Sequence, residues 1–212
     1  MKSLLSPITL LRSSLASIGF ILAVSLLLIA LATLLHAWQE IPFSRLTRDL
    51  TSLGRLPWYF GFISQFGIFF WSASTAICFF CAAVLPKNVS HARLKQFLVV
   101  SAFLTMGLGF DDAFTLHERV FPDIGIPQEV VLASYVVITL LYLVRFYPLI
   151  RETEHALLAI ALFFFSVSVG LDVWEPAGID RFLFEDGAKL FGQVSWLAYF
   201  FSVGKSAVKT CR

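Results

Sequence analysis

The sequence predicts an all-α fold: a polytopic integral membrane protein built as a six-span transmembrane helix bundle. Of its 212 residues, 58% are hydrophobic and only 14% are charged, whereas a soluble domain usually has about 25% charged residues. Apolar runs of about 20 residues recur, which is the length that crosses the hydrocarbon layer as a helix. These runs occupy most of the chain, so we predict one transmembrane domain, residues 1–212, surrounded by the lipid bilayer.

Each predicted span is an apolar run bounded by charged residues, proline or glycine. The first follows Lys2 and Arg12 and is too long for the core of a typical signal peptide, so we expect it to be retained. Pro86 and Pro122 follow two later runs, and Pro176 ends another, because proline disfavours helix for the residue before it. The predicted spans are residues 17–38, 58–85, 94–117, 129–150, 155–175 and 184–204. Apolar residues at helical spacing in the longest connection, 39–57, predict a short interfacial helix.

Basic residues are distributed unequally between the two sides of this bundle. Six spans place both termini on one side, which then carries ten Lys and Arg residues against two acidic residues. The opposite side carries six basic and twelve acidic residues. Because Lys and Arg mark the cytoplasmic face, we predict that both termini are cytoplasmic. The acidic side then faces the periplasm, a lumen or the cell exterior.

Ionisable residues concentrate at the outer ends of three predicted spans. Asp111 and Asp112 close an apolar run and lie about 8 Å below the outer boundary, at 1.5 Å per helical residue. Lys189, five residues into the sixth span, lies at about the same depth as these aspartates. Asp172 lies three residues before the end of the fifth span. Such residues should face the bundle interior, because a charge facing lipid costs about 2.5–3.5 kcal/mol. Four further ionisable residues lie nearer the rim: His117, Glu118, Glu185 and Asp186.

This arrangement places one basic side chain, Lys189, among six carboxylates: Asp111, Asp112, Glu118, Asp172, Glu185 and Asp186. Like charges so close in a low dielectric cannot all stay ionised without compensation. Either some carboxylates are protonated, or a divalent metal ion lies among them, since carboxylates with imidazole suit Ca²⁺, Mn²⁺, Zn²⁺ or iron. The sequence lacks paired Glu-x-x-His motifs and His-Glu-x-x-His, so the spacing does not identify the metal. The predicted metal ligands are Asp112, His117, Glu118, Asp172, Glu185 and Asp186.

The function that we predict from this cluster is that of a metal-dependent membrane enzyme, hydrolase-like and acting on a lipid-like substrate. Asp111, Asp112, His117 and Asp172 would serve as metal ligands or as the general base, and Lys189 would stabilise developing negative charge. The predicted catalytic residues are Asp111, Asp112 and Lys189. No organic cofactor is indicated, and nucleic acid is not expected as a partner because the chain has no basic stripe.

Two other classes of function stay open. The same carboxylates would suit the ion site of a proton- or cation-coupled transporter or channel, although no inverted repeat or broken midplane helix is evident. They would also suit a structural ion site in a non-catalytic membrane subunit. Ordinary structural roles compete as well, since Glu185 and Asp186 begin a helix, where acids complement the dipole. Glu185 and Lys189 also form an i, i+4 pair.

One contact follows from the depths of the charged residues. Lys189 and the two aspartates lie at the same level on antiparallel spans, so Lys189 should reach Asp111 or Asp112. Gly107 and Gly192 lie on the same faces, and we expect them to let these two spans approach closely.

Overall fold

The computed structural model describes residues 7–86, 89–174 and 180–209, and every regular element among these residues is a helix. The predicted all-α class is therefore confirmed for this part of the chain. Five of the helices are long and apolar enough to cross a membrane. The chain divides into two compact units, Met1–Phe60 and Gly61–Arg212, and the ionisable cluster lies entirely in the second.

The first unit contains a long helix and two short ones. Its helices are α1 (Pro7–Gln39), α2 (Phe43–Thr47) and α3 (Leu50–Gly54). The single short helix predicted for residues 39–57 is thus two helices, because Asp49 caps a new one: its carboxylate accepts the Ser52 N–H at 2.6 Å. His36 has local partners, since its Nδ1 lies 2.8 Å from the Ile41 carbonyl and its ring stacks on Phe43.

The second unit holds the remaining five long helices and one short one. They are α4 (Phe62–Val84), α5 (Val89–Phe114), α6 (Phe121–Asp123), α7 (Gln128–Ile150), α8 (His155–Trp174) and α9 (Arg181–Lys209). Helix α4 packs against both α5 and α9, and α8 packs against α9. This arrangement gathers the ends of α5, α8 and α9, which carry the ionisable residues.

The core of the second unit is aromatic, and its buried polar groups have partners. Phe97 of α5 stacks on Tyr142 of α7, with ring centroids 5.8 Å apart. The Tyr142 hydroxyl lies 2.7 Å from Ser101 Oγ, and the Trp196 indole N–H donates to Thr105 Oγ1 at 3.0 Å. Because a buried polar group without a partner costs about 1–3 kcal/mol, these pairs fix how α7 and α9 lie against α5.

Helix α9 is less apolar than the five helices whose length and composition would let them cross a membrane. It includes the predicted sixth span, residues 184–204, but Lys189 and Gln193 lower its mean hydropathy. Both side chains bind the carboxylate of Asp112. The two polar residues that lower the hydropathy of α9 are therefore bound to a buried carboxylate, that of Asp112.

The predicted role of Gly107 and Gly192 in bringing α5 and α9 together is wrong. A Cβ on Gly107 would have no atom within 4 Å, and one on Gly192 would meet Phe165 of α8. The close contacts involve α4, which packs on both helices. A Cβ on Gly109 would lie 2.9 Å from Trp71 Cβ, and one on Gly67 would lie 2.7 Å from the Gln193 amide.

Candidate functional site

Helix α5 ends at Phe114, three residues before the predicted end of the third span. Thr115 adopts left-handed backbone angles (φ 49°, ψ 46°), and a π-helical turn, Leu116–Val120, follows. Left-handed angles are unfavourable for a β-branched residue, and π-helical turns occur often at functional sites. The break means that Glu118 does not continue the face of α5 that carries Asp111. It also turns His117 back towards the end of that helix.

Asp111 and His117 form a buried pair in which the carboxylate accepts three hydrogen bonds. The ring Nδ1 of His117 donates to Asp111 Oδ2 at 2.5 Å. The backbone N–H of His117 and the hydroxyl of Tyr135 both donate to Oδ1, at 2.9 and 2.8 Å. The carboxylate thereby fixes the imidazole ring and keeps a proton on Nδ1. In the neutral ring, Nε2 is then the proton acceptor.

The groups around His117 shift the pKa of its ring in opposite directions. Burial lowers the pKa of its ring, but the hydrogen bond and negative charge of Asp111 outweigh burial, so the pKa of His117 lies above its ordinary value of 6.5. Glu118 acts in the same direction as Asp111, and its Oε1 lies 3.6 Å from His117 Nε2. Lys189 acts in the opposite direction.

Asp112 has a separate set of partners, and the predicted contact with Lys189 is present. Lys189 Nζ lies 2.5 Å from Asp112 Oδ1. The second oxygen accepts hydrogen bonds from the Trp71 indole at 3.2 Å and the Gln193 amide at 3.0 Å. Successive residues of a helix point in directions about 100° apart. The two adjacent aspartates therefore bind different partners.

The carboxylates of the predicted metal site lie on four different elements around the same cavity or its rim. Asp172 accepts a hydrogen bond from the Gln128 amide at 2.7 Å. Glu185 and Asp186 are half-buried on α9, and Glu118 is exposed. Among the described residues, no three His, Cys, Asp or Glu side chains are grouped so that they could hold a metal ion.

Compensation for the negative charge comes largely from donors on neighbouring helices. Asp111 has His117 and Tyr135, and Asp112 has Lys189 together with two neutral donors. A count of formal charges does not include neutral donors such as Tyr135, Trp71 and Gln193. The predicted divalent metal ion has no direct support in this geometry and stays a prediction.

A cavity of about 600 Å³ joins these pairs. Asp111, Asp112, His117 and Lys189 lie at its polar end. Apolar residues of α5, α7 and α8 line most of the rest: Leu108, Leu132, Val136, Leu140, Leu143, Leu162, Phe165, Val169 and Val173. Ligand pockets are commonly about 300–1,000 Å³, largely apolar, with a few convergent polar groups, and this cavity fits that description.

Three residues of this site were missing from the sequence prediction: Trp71, Gln128 and Tyr135. Each lies in or beside an apolar run and carries a donor that must find a partner when buried. That requirement was readable from the sequence. The partner was not, because it lies on another helix.

Thr115→Gly should raise the free energy of unfolding by about 1 kcal/mol. Left-handed backbone angles cost a non-glycine residue about 1–2 kcal/mol, and part of that gain is offset because glycine loses more chain entropy on folding. Denaturant titration of the purified protein in detergent micelles measures the change. Thr139→Gly, inside α7, is the matched control and should lower the stability. A loss of stability in both variants would contradict the backbone angles of Thr115.

Comparison with known proteins places the chain in a family. Residues 20–203 match the family model described as "Domain of unknown function (DUF8692)", and the chain belongs to this family. The matched range includes every residue that lines the cavity. No curated protein and no solved structure matches the chain.

Proposed function

We propose that this protein is an integral membrane enzyme, hydrolase-like, that acts on a lipid-like substrate with His117 as its general base. The observation that carries the proposal is the 2.5 Å hydrogen bond from His117 Nδ1 to Asp111 at the polar end of a largely apolar cavity. A carboxylate that orients an imidazole is a recurring device for proton transfer in hydrolysis. The apolar remainder of the cavity suits a substrate with a hydrocarbon portion.

The chemistry of the proposal follows from the two pairs. With Nδ1 donating to Asp111, Nε2 takes a proton from a water molecule that attacks the substrate carbonyl. The imidazolium that forms is stabilised by the Asp111 carboxylate and then returns the proton to the leaving group. Lys189 lies at the same end of the cavity, where its ammonium would stabilise negative charge on the carbonyl oxygen. None of these steps depends on the predicted divalent metal ion.

The bilayer location is supported by the extent of exposed apolar surface. Side chains such as Leu27, Leu141 and Phe163 are 62–67% exposed on long helices, and soluble proteins rarely expose large contiguous apolar patches. Helix α9, with 29 residues, is about 43 Å long at 1.5 Å per residue. We therefore propose that it crosses the bilayer as a sixth span, so that both termini are cytoplasmic and the cavity opens near the opposite face.

Reporter fusions test this topology. Reporters placed after Lys87 and at the C-terminus should both read cytoplasmic, because the basic residues concentrate on that side. A fusion within residues 123–127 is the control and should read on the opposite side. An external signal from the C-terminal fusion would contradict the crossing of α9.

Hydrolysis assays test the chemical role of His117. With lipid esters and amides in mixed micelles, His117→Gln should lower kcat by about 10²–10⁴-fold, the usual contribution of a general base. His155→Gln, an exposed histidine at the start of α8, is the matched control and should keep full activity. Wild-type activity should rise with pH through the raised pKa of His117, because only the neutral ring accepts a proton. Unchanged kcat in His117→Gln would end the proposal.

A further inference from the structure

The cavity is open at the side, between α7 and α8. Several residues that line it are also exposed at the protein surface. On α7 these are Val136 and Leu140, which are 49% and 54% exposed. On α8 they are Ser166 and Gly170, which are also exposed. Because lining residues on both helices reach the surface, the cavity continues outward through the space between them.

Both ends of this lateral opening are closed. At the end near His117, the Gln128 amide at the start of α7 donates to Asp172 near the end of α8, at 2.7 Å. At the other end, α7 and α8 are joined by the short connection 151–154. The opening therefore faces the side of the helix bundle, and in the proposed topology it faces the hydrocarbon layer.

The apolar part of the cavity is long enough for an extended hydrocarbon chain. Its lining on α7 runs from Leu132 to Leu143, which corresponds to about 16 Å along the helix axis at 1.5 Å per residue. The polar groups lie at one end of this length. A ligand that fills the cavity would therefore place a hydrocarbon chain beside α7 and α8 and its polar part beside His117.

The charge at the polar end restricts the head group. Five carboxylates line the cavity, against two basic side chains, His117 and Lys189. Lys189 is already paired with Asp112. An additional anion at this end would be repelled by the excess of lining carboxylates over lining cations, and such repulsion is costly at low dielectric. A neutral head group avoids that cost.

We propose that the cavity takes a neutral single-chain lipid, such as a monoacylglycerol, which enters from the bilayer through the lateral opening between α7 and α8. This inference rests on the proposed function only where it calls the bound lipid a substrate, because lipid binding itself does not require turnover. The lipid chain lies along the apolar residues of α7 and α8. Its polar linkage lies at His117 and Lys189.

Photolabelling of the full-length protein in nanodiscs tests the binding. The probe is a monoacylglycerol with a diazirine in its acyl chain, and the background is His117→Gln, so that hydrolysis does not consume the probe. Label should appear on peptides of α7 and α8. Leu140→Trp, which fills the opening, should reduce labelling at least about tenfold, the scale of a size change in an apolar pocket. Val136→Trp, one turn away on the same face, should have the same effect.

Leu141→Trp is the matched control, because Leu141 is exposed on α7 and does not line the cavity. Its labelling should equal that of the background protein. Equal labelling in Leu140→Trp and Leu141→Trp, both eluting as folded protein, would overturn the inference, since the lipid would then be bound only around the bundle. Unlabelled monoacylglycerol should compete with the probe, and a single-chain phosphate monoester should compete at least tenfold less well. Equal competition would overturn the neutral head group.

The two proposals fail separately. Labelling of the cavity without detectable hydrolysis by the wild-type protein would contradict the proposed enzyme and still support the lipid site. Hydrolysis that depends on His117 but is unaffected by Leu140→Trp would contradict lateral entry and still support the enzyme.

Discussion

Lys189→Met should lower the free energy of unfolding by about 3 kcal/mol, near the low end of the range for breaking a buried ion pair. The Asp112 side chain is only 8% exposed, so its charge would lose its cation without gaining water. The lower end applies because Lys189 itself is 29% exposed. Denaturant titration in mixed micelles measures the change. Lys205→Met, an exposed lysine on the same helix, is the matched control and should change the stability by less than about 0.5 kcal/mol.

A double-mutant cycle separates the pair from its surroundings. Asp112→Asn removes the charge that Lys189 balances and keeps an acceptor for Trp71 or Gln193. The double variant should therefore cost about 1–3 kcal/mol less than the sum of the two single variants, the usual coupling of residues in contact. Strict additivity would show that Lys189 and Asp112 do not interact.

Asp111→Ala should lower the free energy of unfolding by about 3 kcal/mol. The change leaves three donors without their acceptor: the His117 ring, the His117 backbone N–H and the Tyr135 hydroxyl. Each buried donor without a partner costs about 1–3 kcal/mol, and some of these will reach water through the cavity. Tyr135→Phe removes one of the three bonds and should cost about 1 kcal/mol.

The control for this series is Asp123→Ala, an exposed aspartate on α6. It should change the stability by less than about 0.5 kcal/mol. An Asp111→Ala variant as stable as Asp123→Ala would contradict the buried pair. The proposed hydrolytic activity should fall with Asp111→Ala as well, because the His117 ring would lose the group that orients it.

The long helices and the Lys189–Asp112 contact could be predicted from the sequence because each depends on spacing along the chain. Apolar runs of the right length mark the helices, and the rise per residue gives the depth of a charged residue. Two residues at equal depth on antiparallel helices can meet, and these two do. Depth does not specify how a helix is rotated about its axis. Gly107 was therefore predicted to face α9, whereas it is Gly109 that lies against a neighbouring helix, α4.

The rest of the site depends on features that spacing does not encode. Nothing at Thr115 favours left-handed backbone angles, yet that one residue turns His117 back onto Asp111. Carboxylates and cations can be counted in the sequence, but the neutral donors that also bind the carboxylates cannot be recognised there as their partners. Trp71, Tyr135 and Gln128 satisfy carboxylates on other helices, and only the packing decides which ones.

The placement of the tryptophans makes the cavity optically observable. Trp71 and Trp196 both line it and are 5% and 1% exposed, whereas Trp38, Trp58 and Trp174 are 73–88% exposed. The two buried indoles are therefore shielded from bulk solvent, and each donates to a polar group, Trp71 to Asp112 and Trp196 to Thr105. A brominated chain bound in the cavity should quench their emission by direct contact. With the three exposed tryptophans replaced by phenylalanine, this quenching should report occupancy of the proposed lipid site in real time.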